Sequence, residues 1–271
     1  MTTNALITPN PITDDQKSQI VGFAEAAAKK AITTLNLDNP AAQCVIRRGD
    51  ELKAAIIAKI SELSLLLSDL SCFGIADWQK YYKLGTPEQV ATVGDFPWSD
   101  AVLNSPCPFN PGKMVRETHF AFAGLENITI MELKKMNPKE TEPRFYSYAQ
   151  YAWYFNEKFA TKTSLAARWY LMLRGIVPGS ENRTFNDQKA MLPPEYEIPS
   201  AVAEVAKDIL MFKKTGVYAN PSRYARTADV VSHGLRVDVG GFGPGGLIVD
   251  RNWDVSGDDR LGLACSRKSK K

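Results

Sequence analysis

Between Thr215 and Arg267 the chain contains no lysine, glutamate, glutamine or methionine. Those four types fill 48 of the 271 positions, so a stretch of this length at average usage would hold roughly nine. All four are good helix formers, and the same stretch holds 9 of the 18 glycines, so helix is disfavoured there. In "LRVDVGGF", "GGLIVDRNW" and "RLGLACSR" apolar residues alternate with polar or small ones, with Val237 and Val239 set against Arg236 and Asp238. This period of two predicts short strands with one face buried. "GGFGPGG" contains a proline and runs into the apolar "LIVDR", so it reads as a tight turn and not as a phosphate-binding helix start. Surface strands use Lys, Glu and Gln freely, so β structure alone does not account for their absence.

The rest of the chain is helical in its first part and mixed thereafter. Thr13 and Gln16 make a capping-box signature, and Ile20, Phe23, Ala24, Ala27, Ala31, Ile32 and Leu35 follow at helical spacing up to "NLDNP". A second stripe, Leu52, Ile56, Ile60, Leu63, Leu67 and Leu70, completes a predicted helical hairpin. Its apolar faces must be buried against each other, against the rest of the chain or against a second copy. The Pro-rich "NSPCPFNPG" predicts a boundary near 95 to 105, giving a helical region over 1–100 and a second domain over 101–271. Within that second domain "RETHFAFAG" predicts a strand and "ITIMELKKM" a helix or a second strand, and the aromatic run 144–175 reads as core. "IPSAVAEVAKDILMFKKTG" predicts a scaffold helix capped by Ser200 and closed by Gly216. The fold class expected is α+β.

Several function classes are disfavoured. Net charge is only +3, and the basic "SRKSKK" lacks interleaved aromatics, so nucleic acid is a poor partner. Neither a signal peptide nor a run of 18 apolar residues is visible, which predicts synthesis in the cytoplasm, virion carriage aside, and no membrane insertion. Cys44, Cys72, Cys107 and Cys265 lie far apart without metal-site spacing and read as reduced thiols. His119 and His233 are too few for a histidine-based metal centre, and G-x-S-x-G, H-E-x-x-H and Walker A motifs are all absent. Asp250, Asn252, Asp254, Asp258 and Asp259 cluster as calcium ligands do, but not with EF-hand spacing, and acidic turns are common for backbone reasons. No cofactor is expected.

"YARTADVVSHGLRVDVGGFGPGGLIVDRNWDVSGDDRLGLACSRK" resembles the variable region of target proteins of diversity-generating retroelements. In that family the C-terminal domain has the C-type lectin fold in its formylglycine-generating-enzyme-like form. The resemblance implies short antiparallel strands and a variable region over about 223–267. It also implies copying errors at template adenines, mostly in AAC codons, which can yield Asn, Tyr, Asp, Ser, Gly, Arg, His, Val and others but never Lys, Glu, Gln, Met or Trp. The compositional gap follows from that rule. Trp253, Val237, Val239, Leu247, Val249, Leu261 and Leu263 would be fixed scaffold positions. The diversified, outward candidates are Asp229, Ser232, His233, Asp238, Asp250, Arg251, Asn252, Asp254, Val255, Ser256, Asp258, Asp259 and Arg260.

The implied function is non-enzymatic binding of a protein or cell-surface ligand through the C-terminal face, with oligomer formation through the N-terminal helices left open. "NWD" differs from the "WND" calcium motif of vertebrate C-type lectins, and no convincing active-site cysteine pair is visible, so sugar binding and formylglycine chemistry are not implied. Two alternatives stay in view. One is an enzyme on the same fold with Asp254, Asp258 and Asp259 around a metal; the other is a phage structural or tail-tip protein.

Overall fold

The computed structural model describes residues 14–36, 38–56, 70–147 and 153–269. The chain divides into two compact units, Met1–Leu67 and Ser68–Lys271.

In the first unit a 22-residue helix, Asp14–Leu35, is followed by a second, Asn39–Arg47. Asp38 starts the latter: its side chain accepts from the Ala41 amide at 2.9 Å, and Pro40 fills a position where no amide hydrogen is needed. Helical residues 49–56 come next. Among the described residues of this unit none is buried, and Phe23, Ile32, Leu35 and Ile46 are all largely exposed. The proposed Thr13 cap and the stripe residues Ile60, Leu63 and Leu67 lie outside the described residues.

The second unit is mixed α+β. One sheet has the order β1-β2-β3-β9-β4, built from β1 (Ser71–Phe73), β2 (His119–Ala123), β3 (Trp169–Leu173), β9 (Ser266–Arg267) and β4 (Tyr196–Glu197). The other has the order β7-β6-β5-β8, from β7 (Gly246–Asn252), β6 (Arg236–Gly243), β5 (Tyr224–Val230) and β8 (Leu261–Leu263). The Gly-rich stretch therefore forms strands where the period of two places them, and Gly243 pairs with Gly246 across the Pro244-Gly245 turn. Only glycine suits position 246, where φ is +115° and a Cβ would come within 2.5 Å of the Phe145 backbone.

The sheets are not purely antiparallel as expected. β1 runs parallel to β2, and β8 parallel to β5. The second case arises because the β6-β7 hairpin returns the chain to its starting direction before residues 253–260 carry it across to the far side of β5.

The scaffold helix, Ala201–Thr215, touches β1 and β2 of one sheet and β5, β6 and β7 of the other, so it occupies the core between them. Every residue from Ala201 to Met211 is buried, and each of Val202, Val205, Ile209 and Leu210 contributes ~1.5–3 kcal/mol from apolar burial. Gly216 ends the helix in the left-handed conformation, φ +72°. Ser200 makes no side-chain cap. Instead Asp229 reaches over from β5 and accepts from the Ala201 amide at 2.6 Å. The same helix buries three charged side chains: Lys207 Nζ lies 2.5 Å from Glu204 Oε1 and 3.1 Å from Asp208 Oδ1.

The boundary differs from the expected 95–105. β1 belongs to the five-stranded sheet, and Trp78, fully buried, donates its indole N–H to Ala123 O at 2.7 Å. Residues from Ser68 onward are thus part of the second unit. "ITIMELKKM" is a helix, Ile130–Met136, with Thr129 capping it. Among the described residues no helix is long and apolar enough to cross a membrane.

Candidate functional site

The four-stranded sheet has two different faces. Val237, Val239, Leu247 and Val249 are buried in the core cluster that includes the scaffold helix. On the opposite face Arg226, Asp238 and Asp250 stand in one cross-strand row, with Arg236 and Asn252 opposed in the next. Residues 253–260 fold back over this polar face, and the connection is made by Arg226.

The Arg226 side chain is fully buried. Its guanidinium donates to Trp253 O at 2.9 Å and Ser256 O at 2.7 Å, and also to Arg183 O at 3.1 Å and Gln188 Oε1 at 3.2 Å. Gln188, also buried, donates to Ser180 O at 2.8 Å and Leu261 O at 2.9 Å. Two amides of the adjoining segment close the arrangement: Asn182 N donates to Asp258 O at 3.0 Å and Phe185 N to Asp254 O at 2.8 Å. Nearly every bond that fixes 253–260 therefore ends on a backbone carbonyl, an acceptor present whatever the side chain. The exceptions are Asp258, whose carboxylate accepts from the Arg260 amide at 2.8 Å, and Asp254, whose carboxylate takes a two-point contact from Arg236 at 2.6 and 2.9 Å. Arg236 also lies 3.4 Å from the Phe185 ring centre.

The site candidates separate into three groups. Asp254, Val255, Ser256, Asp258, Asp259 and Arg260 are brought together on the folded-back segment, with Val255 79% exposed. Asp258 and Arg260 pair with one another at 3.4 Å, and backbone and side-chain bonds from Arg260 hold the Asp258 carboxyl below its usual range. Ser232 and His233 lie apart, in the turn between β5 and β6, where Ser232 donates to Glu157 at 3.0 Å. The third group faces elsewhere or is buried. Arg251 lies on the core side of β7, 4.1 Å from the Trp153 ring centre, and not beside Asp250 and Asn252.

Two candidates need correction. Asp238 is not outward: it is 0% exposed, because Arg226 draws 253–260 over its face of the sheet. One of its oxygens accepts from Asn252 Nδ2 at 2.9 Å, and burial raises its carboxyl to about 7. Asp229 is half-buried and caps the scaffold helix, and burial raises its carboxyl too. Trp253, assigned to the scaffold, contributes only its carbonyl there; its ring is 59% exposed.

Beside Val255 lies an open depression of about 520 Å³ that also takes in Glu181, Asn182, Arg183, Asp187 and Gly257. Sequence reasoning missed the 179–184 wall, which lies outside the compositional gap; its signal was the turn-rich "PGSENRT". Among the described residues no three His, Cys, Asp or Glu side chains are grouped as metal ligands would be.

His119 is a framework residue. Its Nδ1 donates to Val115 O at 3.0 Å, so Nε2 accepts from the Tyr196 hydroxyl at 3.2 Å, and Arg267 donates to that same hydroxyl oxygen at 3.1 Å. Burial pushes its pKa down to about 3, which keeps the ring neutral. Cys107 and Cys265 are buried in one small cluster with Tyr196, and burial pushes the Cys265 thiol up. Comparison with family models, with curated proteins and with solved structures finds no match for this chain.

Proposed function

We propose that the chain is a non-enzymatic binding protein. Its second unit would be a C-type-lectin-like domain whose 223–267 surface is diversified by a retroelement, and which recognises a protein or cell-surface ligand. One observation carries this reading: residues 253–260 are held to the buried Arg226 through the carbonyls of Trp253 and Ser256, while Val255, Asp259 and Arg260 point outward. A segment anchored by its backbone keeps its shape when its side chains are exchanged, which is what a variable binding surface needs. The absence of Lys, Glu, Gln and Met from Thr215 to Arg267 supports the same reading, since adenine-directed copying of AAC codons cannot produce them. The exposed Trp253 ring flanked by polar side chains has the character of an interface anchor.

The test is genetic. Sequencing the locus should uncover a near-identical DNA repeat of the 223–267 coding stretch, a neighbouring reverse transcriptase, and mismatches confined to template adenines. Sibling copies should differ at Val255, Asp259 and Arg260 and agree at Arg226 and Asp229. A locus with neither repeat nor reverse transcriptase would remove the proposal.

A further inference from the structure

The scaffold helix Ala201–Thr215 buries three ionisable side chains side by side: Glu204, Lys207 and Asp208 are each no more than 1% exposed. A buried ion pair is stable only when further hydrogen bonds satisfy its remaining oxygens and protons. Here they do not. Lys207 Nζ meets Glu204 Oε1 at 2.5 Å, but Glu204 Oε2 and both oxygens of Asp208 lack a hydrogen-bond partner, although Asp208 Oδ1 stands 3.1 Å from Nζ. An amine, a carboxylate in contact with it and a second carboxyl group beside both, all shut away from water, are the components of an amide condensation. We infer that Lys207 Nζ and the Glu204 side chain join in an amide bond, with Asp208 relaying the protons, so that the scaffold helix carries an internal covalent cross-link.

Burial raises both carboxyls, that of Asp208 to about 8, so at neutral pH Asp208 holds its proton. The three groups are then an ammonium, a carboxylate and a carboxylic acid, neutral in sum. A proton passes from the Lys207 ammonium to Glu204, which leaves a free amine facing a carboxylic acid. Nζ attacks Glu204 Cδ. One Asp208 oxygen takes a second proton from Nζ while the other gives its own to the departing Glu204 oxygen, which leaves as water. One N–C bond forms, one C–O bond breaks, nothing is oxidised or reduced, and Asp208 ends as the acid it was. Contact between the groups supplies the proximity such a step needs, and the product removes both charges and one partnerless oxygen from the core. The N–H that remains lies beside Asp208. Spacing of three places Glu204 and Lys207 on one helix face, so the ring closes over a single turn; a ring to the adjacent Asp208 would join side chains that leave the helix about 100° apart. The helix packs against β5, β6 and β7, so the cross-link stiffens the support beneath the variable sheet, and does so whatever ligand the second unit takes.

Mass spectrometry of the full chain, unfolded in acid so that no bound water is retained, tests this. The expected mass is lower than that of the sequence by one water. Fragmenting a peptide that spans 201–215 then locates the bond: a ring from Glu204 to Lys207 suppresses backbone fragments between those two residues and preserves the cut between Lys207 and Asp208. A chain of full mass whose Lys207 accepts an acetyl group once unfolded would overturn the inference, as would a lost water located elsewhere. Lys207→Arg keeps the charge but not the nucleophile and should restore the full mass. Asp208→Asn, at a fold confirmed by near-ultraviolet circular dichroism, should leave most chains uncondensed; complete condensation there would remove the relay.

Discussion

Replacing Arg226 with Met removes a buried guanidinium that makes four hydrogen bonds, three of them to the carbonyls of Arg183, Trp253 and Ser256. Bonds from a charged donor contribute ~1.5–3 kcal/mol each when the acceptor stays buried. Here the three carbonyls belong to surface segments and can turn to water once those segments lift, so each loss costs nearer ~1 kcal/mol; the buried Gln188 Oε1 cannot, and adds ~1–3 kcal/mol, so the expected total is about 4–6 kcal/mol. For a unit of this size that corresponds to a Tm roughly 8–24 °C lower. The comparison set is Val255→Ala and Asp259→Ala, exposed side chains that anchor nothing, each expected to change stability by less than about 0.5 kcal/mol. Urea unfolding reads the energies, and amide exchange at Asn182 and Phe185, whose N–H groups bind the carbonyls of Asp258 and Asp254, reads the local effect. If Arg226→Met costs no more than Val255→Ala, or if those two amides stay protected, the account of a backbone-anchored surface is wrong.

Further outcomes follow from the other buried and exposed groups. Lys207→Met leaves Glu204 and Asp208 unpaired in the core and should cost ~3–5 kcal/mol; a loss below ~1 kcal/mol in urea unfolding would refute the pairing. Burial holds the Asp238 carboxyl up to about 7, while an unfolded Asp releases its proton near ~4. The folded chain therefore keeps a proton that the unfolded chain loses, and this contribution to stability is full below about pH 4 and fades as pH rises toward 7. Asp238→Asn should flatten part of that slope in unfolding titrations, and an unchanged slope would count against the burial argument. Trp253→Ala should leave Tm within ~2 °C of the parent yet weaken binding to any isolated ligand at least ~10-fold; unchanged affinity would remove Trp253 from the binding surface.

What could be read in advance was local, and what could not was long-range. The scaffold helix declared itself through Val202, Val205 and Ile209 at helical spacing and the stop at Gly216. The β6-β7 hairpin did so through alternation and the Gly-Pro-Gly turn. Alternation says that one face of a strand is buried but not what covers the other, so Asp238 was placed outside although Arg226 folds residues 253–260 over it. The boundary was missed because β1 is only three residues long and gains its meaning from pairing with β2, far along the chain. Asp229 illustrates the same limit. An acidic residue in a strand looks like surface until the Ala201 amide it caps is known. Most of the clustered candidates, Asp254 to Arg260, were legible because they are contiguous in sequence, and the facing 179–184 wall was not because it is remote.

The placement of β9 bears on how such a protein would be made. Ser266 and Arg267 lie between β3 and β4, inside the five-stranded sheet, and come after all of residues 223–260 in order of synthesis. A nascent chain halted anywhere before Ser266 leaves β4 with no neighbour and the sheet incomplete. If residues 223–267 are diversified as proposed, changes at the adenines of AAC codons create no stop and leave this closing strand in the chain, whereas a shift of reading frame before Ser266 would remove it. Completion of the five-stranded sheet thus waits on the last strand of the chain, so an uninterrupted reading frame through Arg267 is a condition of that sheet whatever side chains the exposed positions carry.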